Sequence, residues 1–348
     1  MQRRDFLLGG MAVALQRHKL DEAAALIEHQ VASGEVRAAS LAVQQGSFRL
    51  ERAFGQAKSP ETIFLLASIT KPMTVTAVMI LSDRGRLSLS DPVRRYIPEF
   101  QGGERDRITI QHLVTHTSGL PDMLPENEDL RRRHAPLKDF VAGTCRTPLL
   151  FRPGAEVRYQ SMGILLAAEI VERITATPLR VFLHRELFEP LGMRRTALGL
   201  GDFRIPETAQ CQVTGNDDWN WNSPYWRDLG APWGGAHSTA PDVMRFLAAF
   251  LHPDGRMLKR ETAAAMIANH TQPLPVPWGL GWMIQPGKFG KGCSPRTFGH
   301  YGSTGTVAWA DPASGLSCVL LTTKPAEQSR AHLLGPVSDL VSESARQS

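Results

Sequence analysis

Residues 64–85, FLLASITKPMTVTAVMILSDRG, decide how the rest of the chain is read. Ser68 is the only serine in the sequence with a lysine three residues on, Lys71. Beyond the lysine, residues 73–81 are apolar apart from two threonines. That pattern leaves no solvent face, so it predicts a buried central helix. Positions i and i+3 of a helix share a face at about 5–6 Å between Cβ atoms, which brings a hydroxyl and an ammonium within reach of each other. A serine hydroxyl hardly ionises at neutral pH, and an adjacent base must take its proton as it attacks. The same four residues would equally suit a helix cap followed by a surface lysine. The choice between the two depends on the remainder of the chain.

Upstream, Leu20, Ala24, Ile27 and Val31 have helical spacing, and residues 38–43 and 48–54 read as two strands of a hairpin. Downstream, prolines and glycines punctuate the chain before a short helix at 109–115, and residues 162–175, 179–188 and 241–251 carry helical periodicity. Past residue 278 the character changes. Runs at 278–284, 296–301, 306–310 and 316–322 are short and strand-like, and 329–345 reads as a closing helix. The expected fold is therefore α/β of the α+β type, an antiparallel sheet flanked by helices and built from both chain ends. Residues 17–85 and 273–348 would form the sheet domain and residues 86–272 an inserted helical lobe, together one catalytic unit. A cleft between sheet and lobe is the natural place for a site.

Composition narrows the function classes. The 348 residues are 21% charged and 42% hydrophobic with 30 Gly and 24 Pro, which suits a loop-rich globular chain and not a disordered one. The net charge of +5 gathers in local clusters such as Arg131-Arg132-Arg133, without the aromatic-basic interleaving of a nucleic-acid surface, so no nucleic-acid partner is expected. No run approaches the roughly 20 apolar residues of a membrane span. Residues 1–16, with Arg3-Arg4 followed by FLLGGMAVAL, look like a twin-arginine export signal, though the apolar part is short and has no clear A-x-A site. Export would make the protein periplasmic or secreted; an ordinary basic N-terminus would leave it cytoplasmic. The four cysteines, Cys145, Cys211, Cys293 and Cys318, have no metal-type spacing and are too sparse for a disulfide scaffold, so neither metal nor cofactor is expected.

Two further segments complete a candidate site. Tyr159, one of four tyrosines, sits in VRYQSMG just before a helical run, where a loop could aim a phenol into a cleft. Residues 298–305, FGHYGSTG, put three glycines at a strand end, which suits an edge strand that a ligand approaches closely. In order and spacing, Ser68-Ile-Thr-Lys71, Tyr159-Gln-Ser161 and His300-Tyr-Gly302 resemble the motifs of the serine β-lactamase-like hydrolases. The branch concerned holds class C β-lactamases, D-alanyl-D-alanine carboxypeptidases, D-aminopeptidases and family VIII esterases. HLVTHTSGLPD (112–122), PLGMRRT (190–196) and APWGGAHSTAPDVMRF (231–246) extend the resemblance over residues 20–325.

The resemblance implies a β-lactamase/penicillin-binding-protein-like fold and a set of roles. Ser68 would be the acylated nucleophile, Lys71 its proton acceptor, and Tyr159 the base and acid that serves the leaving group. Backbone N–H groups of Ser68 and Ser303 would form the oxyanion hole. Ser161 stands where the family has asparagine and His300 where it has lysine, with Gly302 closing that motif. A neutral histidine holds a phenolate or a substrate carboxylate weakly, and the serine lacks the amide that meets a β-lactam side chain. Both departures point from efficient β-lactam cleavage toward esters or small amides. The small-molecule substrate thus stays open among ester, D-amino-acid amide and β-lactam, and a non-catalytic penicillin-binding sensor is the rival class.

Trp221 and Trp226, in a segment carrying four of the seven tryptophans, suggest an aromatic rim for an apolar group, or else a loop pinned by its indoles. No G-x-S-x-G elbow supports a Ser-His-Asp hydrolase. His112 and His116 lack the glutamate of H-E-x-x-H.

Overall fold

The computed structural model describes residues 16–345, so all but the last residue of the signal-like segment lies outside the described residues. The hairpin forms as expected. Strands β1 (Ala38–Gln45) and β2 (Phe48–Gly55) pair in register through Gln45↔Phe48, and Gly46 takes the positive φ that a two-residue turn requires. Two two-residue strands, β3 (Phe64–Leu65) and β4 (Ala197–Leu198), and a three-residue one, β5 (Ala236–Ser238), follow. The chain then returns with β6 (Phe298–Gly302), β7 (Thr306–Asp311) and β8 (Leu316–Thr322). The main sheet has the order β2-β1-β8-β7-β6, antiparallel throughout, so β1 pairs with a strand some 280 residues later in the chain, Leu41 opposite Leu320.

Both faces of this sheet are covered, which is why β7 and β8 read as nearly continuous apolar runs. Leu41, Val43, Val307, Trp309, Cys318 and Leu320 face the helix Arg17–Ala32 and the C-terminal helix Gly335–Ser344. Ala42, Ala308, Ala310, Val319 and Leu321 point the other way, into a core shared with the helices of the middle segment, and helix Ala240–Leu251 lies directly on that face. The central helix Thr70–Asp83 is buried at every residue from Thr70 to Leu81 and packs against Met162–Thr175. Its threonines are compatible with such burial because their hydroxyls are satisfied, Thr74 by the Pro232 carbonyl (2.6 Å) and Thr76 by that of Pro72 (2.8 Å).

One strand expectation fails. Residues 278–284 make only isolated bridges, Trp278 to Met283 and Met283 to Gly299. Gly281 adopts φ +79° and lies so close to the central helix that a Cβ would sit 2.8 Å from that of Val75, so the chain turns into the core instead of extending. The four cysteines are free thiols. Among the described residues no helix is long and apolar enough to cross a membrane.

Candidate active site

Ser68 sits in the tight turn Ala67–Ile69 at the N-terminus of the central helix. Ala67 has φ +48°, a conformation that costs an alanine energy and is held by surrounding bonds. Leu66 N–H donates to Ala236 O (2.8 Å), Thr70 Oγ1 to Ala67 O (2.7 Å), and Thr304 and Thr306 hydroxyls to the carbonyls of Leu65 and Leu66 (2.7 and 2.8 Å). The small sheet β3-β5-β4 and the β6–β7 turn thus clamp the serine from two sides.

Lys71 is fully buried beneath Ser68. Its Nζ lies 3.2 Å from Ser68 Oγ and 2.9 Å from the Trp233 carbonyl. Burial brings its pKa down to about 7, with the Asp122 carboxylate opposing the shift. The uncharged amine, the form able to accept a proton, is therefore within reach at neutral pH.

Tyr159 lies over this pair, with Lys71 Nζ 4.6 Å from its ring centroid and Ser68 near enough to its phenol to favour the ionised form. Burial holds the phenol pKa far above its usual value, outweighing the Ser68 contact. The loop carrying Tyr159 is laced to residues 115–122. Arg158 N–H donates to His116 O (2.9 Å), Gln160 N–H to His116 Nδ1 (3.1 Å), Ser118 Oγ to Gln160 Oε1 (2.6 Å), and Ser161 Oγ to Asp122 Oδ1 (2.6 Å). Gly119, at φ +85°, is required here, since a Cβ would meet the Phe151 carbonyl at 2.3 Å.

Sequence reasoning gave His116 and Asp122 no role in the site, weighing His116 only as half of a metal-ligand pair with His112, although both lie in the HLVTHTSGLPD stretch quoted above. His116 is completely buried at φ +61°, its ring 4.9 Å from that of Tyr159 and edge-on to Trp278 at 4.5 Å. Because Nδ1 accepts the Gln160 N–H, the proton must sit on Nε2, which is buried and has no protein partner. His300 is the opposite tautomer, with Nδ1 donating to the Tyr301 carbonyl at 2.6 Å and a buried, unpartnered Nε2. Burial and the neighbouring Lys71 lower the His300 pKa to about 3, and burial first, then Lys71 and His300, push that of His116 well below the usual histidine value. Both rings are neutral at pH 7. His112, by contrast, caps the helix Ile110–Val114 together with Thr109.

Ser68 opens into a cavity of about 190 Å³, shared with Tyr159, Ser161 and Ser303. Trp221, Trp226 and Trp233 form one wall; Trp226 and Trp233 are themselves buried, so these indoles both anchor their loop and line the cavity. Asp122, Asn127 and Arg131 contribute polar groups. His300 and Gly302 lie behind this lining. His300 stands 5.9 Å from Tyr159 between ring centroids, and Gly302 is buried where a Cβ would sit 2.2 Å from the Leu66 carbonyl. Strand alternation sends Tyr301 to the far face, where it stacks on Phe289. Among the described residues no group of three or more His, Cys, Asp or Glu is arranged to hold a metal.

The geometry accords with what the chain resembles. Residues 23–340 match the Beta-lactamase family model. The chain belongs to the beta-lactamase family. It is a serine hydrolase of that family, with the mixed fold of its members. A relative from Salmonella agona (strain SL483), which carries the provisional name D-alanyl-D-alanine carboxypeptidase, is 25% identical over 88% of this chain and 82% of its own. Among solved structures, EstCE1, a hydrolase with promiscuous acyltransferase activity, superposes with a TM-score of 0.75 at 19% identity, covering 94% of this chain and 98% of that one. The D-amino acid amidase from Ochrobactrum anthropi SV3 gives a TM-score of 0.72 at 22% identity, covering 88% and 92%. At these identities the two structures bear on the fold alone.

Proposed function

We propose that this member of the beta-lactamase family hydrolyses carboxylic esters or small amides through an acyl-enzyme on Ser68. The observation that carries the reading is the buried Lys71 amine 3.2 Å from Ser68 Oγ with its pKa brought down to about 7. A neutral amine has two hydrogens and one lone pair. With one hydrogen donated to the Trp233 carbonyl, the lone pair is free to receive the Ser68 proton. Ser68 Oγ then attacks the carbonyl carbon, and the negative charge forming on the carbonyl oxygen is met by the Ser68 and Ser303 N–H groups.

Tyr159 keeps its proton at neutral pH, which suits a donor to the departing alkoxide or amine; Lys71 in turn returns a proton to the phenol. Water attacks the acyl-enzyme with Lys71 and Tyr159 again moving the proton, and the acid leaves with Ser68 restored. The neutral His300, where the related motif has lysine, offers little to a substrate carboxylate at that end and favours esters and small amides over β-lactams. EstCE1, described as a hydrolase with promiscuous acyltransferase activity, and the D-amino acid amidase share the fold of this chain.

The test is a panel of short-chain p-nitrophenyl esters, D-alanyl peptides and a chromogenic cephalosporin, with acyl adducts followed by mass spectrometry. Fastest turnover of an ester, abolished in Ser68→Ala, is the expected result. A stable penicillin adduct without turnover would instead support a sensor, and no Ser68-dependent rate or adduct would sink the acylation mechanism. Export through the twin-arginine-like residues 1–16 belongs to the same proposal, and loss of the protein from the periplasmic fraction in Arg3→Lys/Arg4→Lys checks it.

A further inference from the structure

The arginine run 131–133 divides in the fold. Arg132 pairs with Asp129 and Arg133 with Asp139 at the surface. Arg131 turns inward to line the cavity above Ser68, and among the described residues no carboxylate pairs with it. Its guanidinium carbon lies 4.0 Å from the Trp226 ring centroid and 5.1 Å from that of Trp219, and one terminal nitrogen donates to the Trp219 carbonyl at 2.8 Å. Nε is buried without a partner, and so is Oδ1 of Asn127, one helical turn away on the same cavity wall. Withdrawing much of a guanidinium from water with no carboxylate in ion-pair contact is costly; Asp129 and Asp139 pair with the adjacent arginines, and Glu128 acts on Arg131 only through its field. The cavity's own carboxylate, Asp122, is engaged by Ser161 and exerts its field on Lys71 and Tyr159. Asp122 thus acts on the Lys71 and Tyr159 side of the cavity, and among the described residues it forms no ion pair with Arg131.

From this juxtaposition we propose that Arg131, backed by Trp226 and flanked by Asn127, is a specificity-determining residue that binds a carboxylate carried by the substrate remote from the scissile bond. The proposal rests on the ester or amide hydrolase reading above and sharpens it: the His300 end accepts neutral groups, whereas the Arg131 end accepts an anion. A planar guanidinium held over an indole ring is restricted in its motion and offers two parallel N–H···O bonds, a recognition that lysine does not reproduce.

The test compares kcat/KM for two matched pairs. Mono-p-nitrophenyl glutarate against p-nitrophenyl pentanoate places the carboxylate on the acyl side, and 4-(butyryloxy)benzoate against phenyl butyrate places it on the alcohol side. In one pair the carboxylate ester should be preferred, and Arg131→Gln should lower that preference on the order of 10- to 100-fold, with Arg131→Lys intermediate. An unchanged ratio in both pairs overturns the proposal, since an arginine that merely pins the Trp219 loop would change both members of a pair alike. Binding is read independently of turnover. Monomethyl glutarate if the acyl-side pair shows the preference, or 4-(butyryloxy)benzoate if the alcohol-side pair does, and not its uncharged counterpart (dimethyl glutarate or phenyl butyrate), should raise the Tm of Ser68→Ala. The rise should vanish in Ser68→Ala/Arg131→Gln and persist in part in Ser68→Ala/Arg131→Lys. No rise in Ser68→Ala overturns the subsite, whereas esterase activity that survives in Ser68→Ala overturns the hydrolase mechanism alone.

Discussion

The Trp233 carbonyl oxygen lies 2.9 Å from Lys71 Nζ and fixes the direction in which the amine faces Ser68. The lysine pKa near 7 then sets the pH response. For a neutral ester, kcat/KM should climb through a single ionisation near pH 7 and stay level above it, because the phenol of Tyr159 is shifted upward. Stability should follow the same group. Between about 7 and the unfolded value of 10.5 the unfolded chain binds a proton that the folded chain does not, so resistance to urea rises with pH across that window. Lys71→Met should lose activity by roughly 10²–10⁴-fold and flatten that stability slope.

Tyr159→Phe should discriminate between leaving groups. A p-nitrophenolate departs without a proton, whereas an alkoxide or amine needs one, so the substitution should slow alkyl ester and amide turnover by about 10²–10⁴-fold and p-nitrophenyl ester turnover far less. Equal losses on both substrate types would remove Tyr159 from the proton path.

Much of this was legible in the sequence, and its limits are physical. The helix at Met162–Thr175 and the strand Leu316–Thr322 coincide with their apolar runs, because a helix with one solvent-facing side writes its period into the sequence and a strand buried on both faces reads as one continuous apolar stretch. Strands of two and three residues, such as Phe64–Leu65 and Ala236–Ser238, have no period to detect, yet their bonds hold the Ser68 turn. His116, Asp122 and Arg131 escaped for a related reason. Each takes its part from what the fold brings opposite, Gln160 for His116, Ser161 for Asp122 and Trp226 for Arg131, partners 44, 39 and 95 positions away.

His116→Phe should preserve the ring beside Tyr159 while leaving the Gln160 N–H buried without an acceptor. A loss of about 1–3 kcal/mol by urea titration is expected, with kcat falling more than KM rises. His116→Asn, whose carbonyl can accept that N–H, should recover part of both. Failure of asparagine to do better than phenylalanine would show that the Nδ1 bond does not position the tyrosine loop.

Gly302→Ala should push β6 away from the nucleophile turn, since its new methyl would fall 2.2 Å from both the Leu66 carbonyl and Thr306 Oγ1. A cost of about 1–3 kcal/mol and a reduced yield of acyl-enzyme in the first turnover are expected. A variant with unaltered Tm and full acylation would show that the strand can move without disturbing Ser68.

The pairing of β1 with β8 also has a consequence for the timing of synthesis. On the ribosome, Ser68 and Lys71 emerge early, but the threonines that grip their turn, Thr304 and Thr306, arrive some 230 residues later. Contacts so distant along the chain form late and slowly. On the proposed mechanism a nascent chain therefore carries Ser68 without the grip that aims it, and would acquire hydrolytic competence only as its last strands take their places.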